Sequence, residues 1–210
     1  MFNFDDLGNA VMQGQEDLVK ELAQQAIDAK VEPVSIINDG LIPAMNVVGK
    51  RFKDGDMFVP EVLMCARAMN AGVAVVKPYI VDGDMPSKGT IVIGTVKGDL
   101  HDIGKNLVGM MFESSGYNVV DLGVDTAPET FAAAVKENNA QVLCLSALLT
   151  TTMPAMKDTI EYFKQEGIRD NVKVLVGGAP ITQDFADEIG ADGTSPDAAT
   201  AVELVEKLIG

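Results

Sequence analysis

Residues 90–106 read TIVIGTVKGDLHDIGKN, and this stretch decides the fold. Apart from Gly94, its first seven positions are all β-branched with no polar alternation, the pattern of a strand covered on both faces. Glycine and acidic residues then make a turn, and helical spacing opens near Ile103. The same sequence of strand and helix recurs after residues 117–122 (YNVVDL), 141–146 (QVLCLS) and 172–177 (VKVLVG). A short fifth strand is predicted near Ala191 and Asp192. Helices are predicted over 103–116, 128–138, 153–167, 181–189 and 196–209. Pro128-Glu129 supplies one helix start, and Ser195-Pro196 supplies another, a cap donor before a proline at the first helical position. Residues 89–210 therefore read as an α/β domain with a doubly wound, five-stranded parallel sheet.

The rhythm before residue 80 is different. Val19, Leu22, Ala26 and Ala29, then Ile37, Leu41, Met45, Val48 and Phe52, recur at steps of three or four, as the buried faces of helices do. Four helices are predicted, over 4–13, 15–30, 33–53 and 60–77, so that residues 1–80 form an N-terminal four-helix bundle. The last is more apolar than one bundle contact needs. Its polar groups past the first turn are Arg67, Asn70 and Lys77, on one side of the helical wheel. The surplus is open to its own bundle, another subunit or an apolar ligand. Pro78, Gly83, Asp84, Pro86, Ser87, Lys88 and Gly89 read as a linker between the two halves.

The 210 residues carry 16 Lys and Arg against 31 Asp and Glu, a formal charge of -15. A surface this acidic repels phosphate backbones and anionic lipid, so nucleic acid and membrane are excluded as expected partners. No apolar window is expected to reach bilayer length. The opening MFNFDDLGNA carries acids where a secretory leader would carry positive charge, which points to the cytoplasm. Cys65 and Cys144 both fall in apolar runs and read as buried hydrophobes rather than as a disulfide or metal pair.

In a doubly wound sheet, ligands bind beyond the carboxyl ends of the strands. The segments arriving there are GDLHDIGKN after the first strand, ALLTTT after the third and GGAP after the fourth. The first holds His101, the single histidine of the chain. Asp99, two positions earlier, can bond one ring nitrogen and leave the other its lone pair. General base, hydrogen-bond donor and metal ligand are all open roles for this imidazole. A site built wholly from protein ligands lacks a second histidine, so His101 can hold a metal only if a cofactor brings the remaining ligands, as a planar macrocycle does.

Asp102 is a helix-cap candidate, and Gly104 allows close approach of a bulky group or simply starts a helix. Lys105 and Asn106 touch a ligand's polar periphery or solvate the helix. Ser146, Thr150, Thr151 and Thr152 surround the apolar pair Leu148 and Leu149, with helix capping the alternative role for Thr151 or Thr152. Gly177 and Gly178 would let a ligand pass close to the main chain. The dinucleotide spacing GxGxxG is missing after the first strand, although Asp121 is placed to reach a ribose. The topology resembles that of flavodoxin, which does not of itself imply flavin.

Taken together, Asp99-x-His101-x-x-Gly104, Ser146-x-Leu148 and Gly177-Gly178 resemble the cobalamin-binding signature. FVPEVLMCARAMNAGVAVVKP, residues 58–78, resembles the helical cap of the small corrinoid proteins of methyltransferase systems. The same two modules occur in cobalamin-dependent methionine synthase.

The resemblance implies a cobalamin or related corrinoid bound base-off/His-on, with His101 as the lower axial cobalt ligand. Asp99 and Thr152 would complete a proton-linked relay, Thr152 standing where serine often does. Asp102, Ile103, Gly104, Ser146, Leu148, Thr150, Gly177 and Gly178 would surround the displaced nucleotide tail, and Met64 and Met69 would cover the upper face. Many relatives carry an aromatic residue near the last strand, where this chain has Ala191-Asp192-Gly193-Thr194.

The implied function is that of a methyl carrier cycling between Co(I) and methyl-Co(III), with methylcobalamin as its intermediate. The chain would be a carrier subunit rather than a complete enzyme. Its implied partners are a substrate-specific corrinoid methyltransferase, a second methyltransferase serving tetrahydrofolate or a thiol, and a reductive activase. The cap would have to move as a module to admit either methyltransferase. A radical-mutase subunit and a cobalamin storage or sensor protein are the alternatives that the lower-face motif alone would serve.

Overall fold

The computed structural model describes residues 2–80 and 87–210. Residues 81–86, which include Gly83, Asp84 and Pro86 of the expected linker, lie outside the described residues. The chain forms two compact units, a helical one of the described residues up to Ser87 together with Glu113–Gly116, and an α/β one of Lys88–Phe112 and Tyr117–Gly210.

In the helical unit, α1 (Phe4–Met12), α2 (Glu16–Asp28), α3 (Pro33–Ser35), α4 (Ile42–Lys53) and α5 (Val59–Val76) bury Leu7, Val19, Leu41, Met45, Val62 and Met69. The third predicted helix is broken differently from its periodicity. Ile36–Leu41 is a π-helical turn in which the Ile42 amide donates to the Ile37 carbonyl. Pro43 explains it: proline has no N–H, and its ring collides with the carbonyl four residues earlier, so the ladder widens before it.

The segment Val59–Tyr79 is, contrary to expectation, long and apolar enough by length and composition to cross a bilayer. Val62, Cys65, Ala66, Ala68, Met69, Gly72 and Val76 of this helix are nevertheless buried in the protein.

The α/β unit has the strand order β2-β1-β3-β4-β5, every pair parallel. Its strands are β1 (Thr90–Thr95), β2 (Asn118–Asp121), β3 (Val142–Ser146), β4 (Lys173–Gly177) and β5 (Gly193–Thr194). The connecting helices are α6 (Ile103–Ser114), α7 (Pro128–Glu137), α8 (Met153–Gln165) and α9 (Gln183–Ile189), and α10 (Ala198–Ile209) closes the chain. Val92, Leu143, Phe131, Met156 and Phe163 form the fully buried centre of one sheet–helix layer. Gly94 sits mid-strand because a Cβ there would come within 2.7 Å of the Phe131 ring.

Two details differ from the sequence expectation. β5 lies two residues later than expected, because the Asp192 carboxylate accepts from the Val174 amide (2.7 Å) and from Arg169 (2.8 Å). The ladder itself is carried by Gly193 and Thr194. The cap of α10 is Asp197 rather than Ser195, its carboxylate accepting from the Thr200 amide at 2.8 Å. An anion is favoured at the positive end of the helix dipole.

Candidate functional site

The chain leaves β1 outward to β2, crosses back to β3 and continues to β4. The switch point, where a doubly wound sheet opens a crevice, therefore lies between the carboxyl ends of β1 and β3. The loops 96–102 and 147–152 meet there.

Asp99 joins them. Its side chain is 0% exposed, and both oxygens are used. Oδ1 accepts from the His101 amide (3.0 Å) and from His101 Nδ1 (2.7 Å). Oδ2 accepts from the Leu148 amide (2.8 Å) and the Thr152 hydroxyl (2.6 Å), with the Leu149 amide at 3.4 Å. Burial by itself pushes this carboxyl up. The Thr152 hydroxyl, the His101 and Leu148 amides and the His101 ring together outweigh it and hold Asp99 well below the usual carboxylate range. Asp99 is thus a buried anion at neutral pH that ties one loop to the other.

His101 is fixed at its main chain. Its amide is held by Asp99, and its carbonyl accepts from the buried Thr95 hydroxyl at 2.8 Å. The imidazole is half exposed, and donation from Nδ1 to a carboxylate leaves the lone pair on Nε2. Among the described residues no three His, Cys, Asp or Glu side chains gather into a metal cluster. The donor set is one oriented imidazole, which suits a metal that arrives with its own ligands.

Around it the surface is apolar and open. Leu100, Ile103, Leu148 and Leu149 are exposed large hydrophobes. A Cβ at Gly104 or Gly177 would meet nothing within 4 Å, so both positions leave space for a ligand. Gly178 has a different role: it adopts φ +133°, and a Cβ there would lie 1.9 Å from the Ala147 carbonyl oxygen. It lets the loop after β4 press on the loop after β3. Ser146 pairs with Thr95 and Gly177 in register, and its carbonyl accepts from the Val96 amide at 3.0 Å. Thr150 is exposed on the adjoining loop. These residues fit a large, flat, partly apolar cofactor bound over His101.

The structure separates several roles that the sequence left open. Thr152 stands at the N-cap position of α8 but makes no side-chain cap bond; its hydroxyl has two acceptors within reach, Asp99 Oδ2 (2.6 Å) and the Leu149 carbonyl (2.9 Å). Asp102 accepts from the Asn106 amide through its carbonyl (2.7 Å) and from the Asn106 side chain (3.1 Å). Lys105 is 3% exposed and pairs with Asp121, so its ammonium is turned inward rather than spent on solvating the helix. Met64 is 53% exposed on α5, whereas Met69 is 1% exposed in the interior. Cys65 and Cys144 are free and buried, and burial pushes the Cys144 thiol up to about 12.

Sequence reasoning missed Thr95 and Asp125. Asp125 has φ 53°; its carboxylate accepts from the Gly98 amide (2.7 Å), and its own amide donates to the Asp99 carbonyl (3.0 Å). The signal was the turn-prone LGVD after β2, since aspartate tolerates the left-handed region better than most residues.

A parallel doubly wound sheet with an aspartate-bound histidine at its switch point, preceded by a helical unit, defines a cobalamin-binding protein. Family models described as B12 binding domains match residues 4–77 and 89–203. A corrinoid protein of Desulfitobacterium hafniense (strain Y51) is 49% identical over 209 residues, covering 98% of this chain and 97% of that one. Dimethylamine corrinoid protein 1 of Methanosarcina acetivorans is 45% identical over 205 residues, covering 97% and 96%. Among solved structures, the methanol:cobalamin methyltransferase complex of Methanosarcina barkeri contains a chain that matches with TM-score 0.89 and 36% identity, over 98% of this chain and 79% of its own. A cobalamin-binding protein from Desulfitobacterium hafniense DCB-2 matches with TM-score 0.82 and 30% identity, over the whole of both chains. The chain belongs to the corrinoid proteins of methyltransferase systems.

Proposed function

We propose that the chain carries methyl groups within a methyltransferase system, holding a corrinoid base-off with His101 Nε2 as its lower axial ligand. The observation that carries this reading is the 2.7 Å bond from His101 Nδ1 to the buried Asp99 carboxylate. When bound, the corrinoid supplies a cobalt centre able to accept a methyl group and give it up.

The residues of the chain supply orientation and charge. Asp99 fixes the ring tautomer so that Nε2 presents its lone pair, and the Thr152 hydroxyl stabilises the Asp99 anion in turn. Through the bond at Nδ1, Asp99 and Thr152 would form this chain's part of a proton-linked relay at His101. Gly104, Ser146, Leu148, Thr150, Gly177 and Gly178 border the space assigned to the nucleotide tail, with Ile103 and Asp102 at its mouth. Met64 is the methionine of α5 open to a ligand, while Met69 would become available only if its packing opened.

Methylamine and methanol appear in the names of relatives, which supports methyl transfer over mutase, storage or sensing roles. A substrate methyltransferase, a second methyltransferase to folate or thiol, and a reductive activase are the partners this reading requires. Reconstitution with hydroxocobalamin followed by reduction to the cobalt(II) state tests it. Electron paramagnetic resonance should show splitting from one imidazole nitrogen, abolished in His101→Ala. A spectrum identical in the two proteins would overturn the ligand assignment.

A further inference from the structure

Lys105 is the buried charge that the site as described leaves without a task. The residue is 3% exposed, and its ammonium bonds the Asn106 side-chain oxygen at 2.6 Å and the Asp121 carboxylate. Desolvating an ammonium is costly, and a partner that is itself 45% exposed and partly hydrated returns little of that cost. The pair is therefore poorly explained as a stabilising device.

Its connections lead in two directions, both to the His101 segment. Through Asn106, whose side-chain amide donates to Asp102 Oδ2 at 3.1 Å, it holds the residue following His101. Through Asp121, whose other oxygen accepts from the Gly123 amide at 2.8 Å, it fixes the turn after β2. The Gly123 carbonyl accepts from the Thr95 amide at 2.9 Å, and the Thr95 hydroxyl holds the His101 carbonyl. Asp99 orients the ring, and this second circuit grips the main chain carrying it.

We propose that Lys105 and Asp121 are positioning residues that hold the His101 backbone in place for axial ligation, acting through Asn106–Asp102 on one side and Gly123–Thr95 on the other. The inference rests on the reading of His101 as lower ligand. The position of the imidazole depends on its main chain as well as on its tautomer: Asp99 holds Nδ1 and the His101 amide, while the Lys105 circuit reaches the His101 carbonyl through Thr95 and the following residue through Asn106. A rigid first turn of α6 keeps Nε2 at one height above the sheet edge.

Lys105→Met tests it. Methionine fills a similar apolar volume, and Asp121, 45% exposed, keeps its bond to Gly123 and can be solvated, so no buried charge is orphaned. Amide hydrogen exchange in the corrinoid-free protein should be about ten-fold faster at His101 and Asn106, while core amides such as those of Val92 and Leu143 keep wild-type rates. After reconstitution with hydroxocobalamin and reduction, the imidazole nitrogen splitting should be partly lost, and Lys105→Arg should restore it in part.

Unchanged exchange at His101 and Asn106, or an unchanged splitting, overturns the proposal, as does acceleration that extends equally to the core amides. If Lys105→Met does not fold, Asp121→Asn, whose single oxygen can keep the Gly123 amide while its NH2 faces Lys105 and breaks the pair, is measured in the same way with the same criteria. Wild-type protein lacking the nitrogen splitting would reject the ligand reading itself, a failure distinct from a variant that matches a split wild type.

Discussion

Replacing Asp99 with asparagine keeps the shape of the side chain and removes its ability to accept on both sides. Four close donors converge on the carboxylate: the His101 amide and Nδ1 on one oxygen, and the Leu148 amide and Thr152 hydroxyl on the other. An amide NH2 must face one of these pairs. Turned toward Leu148 and Thr152 it costs less, because the Thr152 hydroxyl can give its proton to the Leu149 carbonyl and accept instead. The Leu148 amide is then left facing a donor. An unsatisfied buried group costs about 1–3 kcal/mol. For a unit of this size that lowers the melting transition by about 3–10 °C.

The pH dependence separates this cause from simple misfit. Folding holds the Asp99 carboxyl below its ordinary value of 3.8, so its charged form contributes full stability above that value and loses it as pH falls toward the lower folded value. Asparagine has no such loss. Circular dichroism melts should therefore show the largest gap between wild type and Asp99→Asn near neutrality and a narrowing gap below pH ~3.8. Equal melting at neutral pH, or a gap that stays constant into acid, would refute the account of Asp99 as a buried anion held by its donors.

Thr152→Val removes the hydroxyl from Asp99 Oδ2 and should cost about 1–2 kcal/mol in urea unfolding, with Thr152→Ser recovering most of it. Gly178→Ala and Gly104→Ala should separate two kinds of glycine: the first must displace the Ala147 carbonyl and lose stability, while the second keeps wild-type melting but binds hydroxocobalamin more weakly in a spectrophotometric titration. Phe131→Ala empties the centre of the sheet–helix layer and should cost about 3–5 kcal/mol by denaturant unfolding, leaving the Asp99–His101 geometry to be judged separately by its nitrogen splitting.

The parts of this molecule legible in its sequence are those written as local periodicity. Unbroken β-branched runs and helical spacing placed the β1 to β4 strands and α6 to α10 within a few residues, and for β1, β3 and β4 burial on both sheet faces leaves few alternatives. Where one side chain competes with the backbone, spacing fails. Asp192 takes the Val174 amide that a longer β5 would have used, Asp197 outcompetes Ser195 as a cap, and Pro43 forces a wider turn upstream of itself.

The site divides along the same line. Asp99 and His101 are two residues apart, so their bond could be anticipated from a single loop. The Thr152 hydroxyl and the Leu148 amide reach Asp99 across 53 and 49 residues of chain, and no local pattern distinguishes a threonine that caps a helix from one that anchors a buried anion. Lys105 is the sharpest case. In sequence it is a lysine in the first turn of an acidic protein's helix, where solvation is the ordinary expectation; only the packing of β2 beside β1 brings Asp121 to meet it. A buried charge whose partner comes from the neighbouring strand therefore reports on the sheet order as much as on the site, and the same strand order that creates the crevice at β1 and β3 also supplies the brace that steadies the loop within it.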